Sequence, residues 1–290
     1  MSLSDLAAAT ILSTDRSQSQ VFYTIPGTYY LELPKHVTTI WVDGSGGGGG
    51  GGGGITGGGG GAGGGGACFC RALPLAVLPF MTRLRIVVGK GGTGGVGGAT
   101  PTLGSHGAES AIFVDGDATG EYYLRLYGGW APIGLPAVSK GGQANVANGT
   151  WAYTGPAAST ANAAGGAGEP QVWRDFIKSI TLTGNIVIGA TGGGGGSWDG
   201  VAVSGGAGGQ GGWAHISTGQ VNGLIGSSAG ASGGTGGSSF GAYNGGGSLG
   251  TASSANVAPT APTAYGHGGH GGGTGQPGSN GADGFFRIYW

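Results

Sequence analysis

The chain has 290 residues, 78 of them glycine, with 11 Lys and Arg against 12 Asp and Glu and a formal net charge of −1. So even a balance gives no electrostatic drive toward nucleic acid or an anionic membrane surface. Low charge with 7 Trp, 10 Tyr and 8 Phe also sets it apart from charged, aromatic-poor disordered chains.

No run of about 18 apolar residues is present to span a bilayer. The stretch 73–88 comes nearest, and Pro74, Pro79, Arg83 and Arg85 interrupt it. The first residues, MSLSDLAAATILSTDR, carry Asp5 early and lack a basic start, which makes a poor signal peptide. Their apolar spacing (Leu3, Leu6, Ala7, Ile11) suits one short helix. Cys68 and Cys70 are the sole cysteines, and a bridge between residues two apart is strained. The expectation is a protein made in a reducing cytoplasm.

In chain order, residues 1–20 read as a lead-in or docking segment and 21–290 as one glycine-rich domain. Strands are expected at Gln20–Thr24, Tyr29–Leu33 and Val37–Val42, with a turn at Ile25-Pro26-Gly27-Thr28. Then nine glycines follow in a row, Gly46–Gly54, with further runs at Gly57–Gly61 and Gly63–Gly66. Arg83–Val88 alternates as a strand should and feeds a second glycine-rich stretch. Glu109–Val114, Tyr122–Tyr127 and Ile180–Ile188 read as later strands, and Phe285–Trp290 closes the chain. Trp41, Trp173 and Trp290 lie in or near strands and are expected in the core.

Glycine is poor in helices and strand interiors. The glycine runs are therefore either a flexible tether or an element whose packing needs no side chains. Polyglycine can take the polyproline II helix, with three residues per turn, and pack backbone to backbone. At about 3.1 Å per residue, nine residues would span about 28 Å. Linkers are Gly/Ser mixtures. Collagen needs a strict Gly-X-Y register rich in proline. Silk-like stacking fits the irregular spacing and many aromatics poorly.

Several segments in order carry a resemblance: Phe22–Thr28, then Leu33–Ser45 running into the glycine block, then Leu84–Gly92, Gly107–Phe113, and Gly281–Trp290 at the end. The chain resembles the glycine-rich domain of bacteriophage tail and tail-fibre proteins, including polyglycine-helix adhesins at fibre tips. The likeness covers about residues 20–290, and the stretches 128–180 and 251–266 match nothing in it. It implies a mainly β fold with almost no α-helix. Terminal strands 21–43 and 285–290 would form a base, below a bundle of polyglycine II helices and a tip built from loops. It further implies a virion component at the tail fibre or tail tip. Its partners would be a host surface receptor, glycan or outer-membrane protein, and other tail or fibre proteins. The assembly would be a homotrimer or a single tip chain on a trimeric fibre.

No catalytic constellation stands out, and no cofactor is implied. Gly89-Lys90-Gly91 lacks the Ser/Thr and the helix start of a phosphate-binding loop. Acids such as Asp43, Asp115, Asp117 and Asp283 are scattered and do not form the paired carboxylates of a glycosidase. His267 and His270 are three apart, so on a three-per-turn helix they share an edge; they are either a metal pair or two exposed polar residues at a loop tip. Trp130, Trp151, Tyr153, Trp198, Tyr243 and Tyr265 lie between glycine runs. They are candidates for receptor binding through loops on a rigid scaffold. They equally suit plugging the edges of a glycine bundle. A receptor-binding adhesin is therefore expected, with a purely structural cap or spacer as the alternative. A cellular glycine-rich matrix protein is a third reading, disfavoured by the poor signal sequence.

Overall fold

The computed structural model describes residues 19–56, 61, 63–67, 69–77, 82–115, 122–131, 143–144, 153–154, 170–171, 189–190, 236 and 258–290. Among these residues the secondary structure is β-strand, without helix. One sheet runs in the order β1 (Gln20–Tyr23), β12 (Phe285–Tyr289), β3 (Thr39–Ser45), β4 (Phe69–Ala76), β11 (Gly189–Ala190) and β10 (Pro170–Gln171). A second runs β2 (Gly27–Glu32), β5 (Arg83–Val88), β6 (Ser110–Val114), β7 (Tyr122–Leu126), and β8 (Gln143–Ala144) pairs with β9 (Tyr153–Thr154). All strand pairings are antiparallel.

Alternation decides which face is buried, because successive side chains on a strand point to opposite sides. Ile40 and Val42 of β3, Leu73 and Leu75 of β4, and Phe286 and Ile288 of β12 face inward. They meet Leu84, Ile86 and Val88 of β5, Ile112 of β6, and Leu124 and Leu126 of β7 in one cluster shared by both sheets. Each such side chain contributes about 1.5–3 kcal/mol by leaving water. The first and last strands pair directly, Val21 opposite Ile288, so the two ends of the domain close on each other.

The strand expected at Arg83–Val88 is present with those bounds, and the strands expected at both ends are present with shifted bounds. Gly27 and Thr28, expected in a turn, are the first residues of β2 and pair with Val88 and Val87. The long neighbouring strand β5 extends the ladder through them. Trp41 is a correction: it is 39% exposed. Its neighbours Ile40 and Val42 occupy the inner face, which turns Trp41 outward. Trp290 is half-buried against the core. Trp173, the strand expected at 180–188 and the helix expected within 1–18 lie outside the described residues.

Beyond the strands the glycine segments pack on one another. Gly46–Gly54 continues from β3 and is buried along its whole length. Its amides donate outward in rotation. Gly47, Gly50 and Gly53 donate to Ala108, Ser105 and Thr102; Gly48, Gly51 and Gly54 to Ala282, Ser279 and Gln276; Gly49 to Gly65. Partner numbers fall as the run advances, so these neighbours are antiparallel. Its carbonyls accept from Gly92, Gly95 and Gly98, from Gly269 and Gly272, and from Gly129. The first two of these neighbours run parallel to it.

The neighbours also bond to each other in a closed ring around Gly46–Gly54. Segment 89–98 joins 102–108 (Ser105 N–H to Thr93) and 276–284 (Gly281 N–H to Gly92). Segment 276–284 joins 266–273 (Ala282 N–H to His267), and that joins the stretch through Gly61 and Gly64 (Gly64 N–H to Gly269). Gly65 then bonds to Trp130, and Gly107 to Gly129, which closes the circle. Three residues separate successive bonds to any one neighbour. Segments 89–98 and 127–131 leave β5 and β7, whereas 102–109, 276–284 and the stretch ending at Ala67 lead into β6, β12 and β4. The sheets thus fix the height and direction of these segments.

Candidate functional site

A backbone core of this kind leaves side chains only on its outside. Lys90, Thr93 and Val96, three apart, project from segment 89–98 and are exposed, Val96 by 64%. The neighbouring segment exposes Thr102, Leu103, Ser105 and His106. Amides of 89–98 that face away from the central run are met by side chains at the same period. Gly91 and Gly94 donate to Asp283 Oδ1 and Asn280 Oδ1, both at 2.8 Å. Thr93 and Val96 donate to Ser105 Oγ and Thr102 Oγ1, also at 2.8 Å. Deeper down, Gly89 donates to Ser110 Oγ at 2.9 Å. These polar residues were not singled out from sequence. Their signal is there: Lys90, Thr93 and Val96 head successive X-Gly-Gly triplets, and glycines recur at 278, 281 and 284 beside Asn280 and Asp283.

The six aromatic candidates fall in different places. Trp130 is half-buried, its ring 5.5 Å from that of His106. Tyr265 is half-buried and stacks on Phe285 at 4.5 Å, where the bundle meets the sheet. The two thus rest on different partners. Tyr153 lies in β9, opposite Ala144. Trp151, Trp198 and Tyr243 lie outside the described residues. The stretch 132–257, which contains these last four, follows Ala131, which is buried and donates its N–H to His106 Nδ1 at 2.9 Å.

His267 and His270 share an edge, as their spacing implies, with ring centroids 5.8 Å apart. Both are buried, so they are not exposed tip residues. His267 Nδ1 donates to the Gly268 carbonyl at 2.7 Å, and His270 Nδ1 accepts the Gly236 N–H at 3.2 Å. An imidazole nitrogen that accepts a backbone N–H carries no proton of its own. Burial, then the neighbouring His270, pulls the His267 pKa down to about 4, opposed by the Gly268 carbonyl. Among the described residues no three His, Cys, Asp or Glu side chains gather as a metal site would need. Cys70 is buried on β4, its thiol 3.6 Å from the Val42 carbonyl, and burial pushes its pKa well up. Cys68 lies outside the described residues.

These features define a class: a β protein whose second core is hydrogen-bonded glycine backbone and whose side chains are displayed around it. The chain belongs to the glycine-rich domain family, whose match spans residues 24–290. No curated protein matches it.

Proposed function

We propose that this protein is a bacteriophage tail-tip or tail-fibre adhesin that attaches the virion to the host surface. In this reading the glycine segments are polyglycine II helices, which explains why successive bonds to one neighbour are three residues apart. The observation that carries the proposal is the closed ring around Gly46–Gly54, anchored to strands from both ends of the domain. Such a pedestal would support the stretch 132–257, with Trp151, Tyr153, Trp198 and Tyr243, which begins after the buried Ala131. Rigid support under the recognising aromatics lowers the entropy cost of binding.

The receptor is a glycan or outer-membrane protein, and the protein does no covalent chemistry. Binding by one copy is weak and gains strength from several copies per particle. The chain acts as a homotrimer or as a single tip on a trimeric fibre, alongside other tail proteins, without nucleic acid or membrane insertion. One observation favours a second reading, a structural cap or spacer: Trp130 and Tyr265 both lean on scaffold rings.

Competition for host adsorption decides between them. Purified protein that blocks phage adsorption, with the block lost on alanine replacement of Trp151, Tyr153, Trp198 and Tyr243 but assembly intact, supports the adhesin. Failed particle assembly in those variants supports the spacer. Full blocking by the variants removes the aromatic assignment.

A further inference from the structure

We propose that the outer face of the sheet formed by β1, β12, β3 and β4 is a stacking platform for a neutral oligosaccharide. The proposal does not depend on the role of the aromatics in 132–257. Ile40, Val42, Phe286 and Ile288 face the core, so Trp41, Tyr289, Arg287 and Phe22 face the other way. Trp41 and Tyr289 are directly opposed across β3 and β12, their rings 6.2 Å apart and within 19° of parallel. Pro74 of β4 lies opposite Trp41 on its far side and is half-buried. The result is an apolar row crossing three strands, with Trp41 its most exposed member.

Beside the row stands a polar group with partners on two sides. Arg287 Nε donates to Gln20 Oε1 at 3.0 Å, and its Nη1 lies 3.5 Å from Asp43 Oδ2. Its guanidinium lies 4.8 Å from the Tyr289 ring centroid and 5.5 Å from that of Phe22. Asp43, in turn, is buried. The pair cancels in charge, so these described side chains offer aromatic area and directed hydrogen bonds without a net charge among them. That combination suits an uncharged ligand with one C–H face and a hydroxyl rim, which is a pyranose. The slightly positive C–H bonds meet the negative faces of the rings.

The test uses the full chain and three neutral probes: cellohexaose, maltohexaose and N-acetylchitohexaose. Saturation-transfer NMR is expected to show contact with at least one probe at millimolar concentration. Calorimetry is expected to show Trp41→Ala weakening it about tenfold or more, with Trp41→Phe close to wild type. Should Trp41→Ala fail to fold, Tyr289→Leu takes its place with the same expectation. No transfer to any probe, or undiminished binding in the alanine or leucine variant, overturns the proposal. So does wild-type self-association that the variant abolishes, which would make this face an interface between copies.

Discussion

A β-carbon placed on Gly49 would lie 2.5 Å from the carbonyl oxygen of Trp130. The obstacle is backbone on a neighbouring segment, itself held by the Gly65 N–H at 2.8 Å, so neither side can yield. The same holds along the central run, where Gly47, Gly50 and Gly53 would strike the carbonyls of Lys90, Thr93 and Val96. Glycine is required here by proximity, and the requirement recurs on every edge of the run.

Gly49→Ala is therefore expected to destabilise the domain by about 3 kcal/mol or more, at the upper end for overpacking. Gly27→Ala is the control: its β-carbon would come no closer than 3.4 Å to the Tyr29 hydroxyl, an ordinary contact. Its cost is expected to stay within about 1 kcal/mol. Urea unfolding of both variants checks the contrast.

Acid should weaken the bundle through His267. Its folded pKa, about 4, lies below the ordinary value of 6.5, so the unfolded chain binds the proton more tightly. Stability then rises with pH between those values and is lost as pH falls from 6.5 toward 4. The full effect of this one group is about 3 kcal/mol. His267→Gln is expected to flatten that slope, read from urea midpoints across the same range.

The side-chain acceptors make a separate prediction. Asp283→Ala leaves the part-buried Gly91 amide without its carboxylate and is expected to cost about 1–3 kcal/mol. Asn280→Ala uncovers the Gly94 amide at an exposed position, where water replaces the lost partner, and should cost less. Amide exchange is expected to speed up at Gly91 and Gly94 in the respective variants.

Cys70 offers a probe of the β base. In a Cys68→Ser background its thiol is expected to ignore a thiol reagent at neutral pH until the protein unfolds, because burial disfavours the thiolate. Rapid labelling of the native protein would mean that the β3–β4 pair opens readily.

Much of the strand framework was legible because alternation is a strong local signal. Arg83–Val88 shows it in the bare sequence and pairs with Gly27–Glu32 over its full length. The partner's start was not legible, since Pro26-Gly27 looks like a turn until a neighbouring strand pairs with Gly27. Trp41 was misplaced because a large apolar residue in a strand looks like core, while which face it joins depends on Ile40 and Val42. The His267 and His270 edge could be read from spacing, but their burial could not, since it comes from segments far away in sequence. The polar acceptors at 102, 105, 280 and 283 were missed because their period becomes meaningful only once the donors of 89–98 are seen to face them. For the loop aromatics, sequence supplied candidates, and Trp130 and Tyr265 now have scaffold partners that spacing alone did not reveal.

The account rests on Gly46–Gly54 being a core and not a tether. Amide hydrogen exchange of these glycines, followed by NMR in the intact chain, tests this most directly. The account predicts protection at Gly47 through Gly51, Gly53 and Gly54 comparable to that of Ile86 and Ile112 in the sheet, since each of these buried glycines donates its amide to a carbonyl of a neighbouring segment. Exchange at the rate of an unstructured glycine peptide, with the sheet amides still protected, would contradict it.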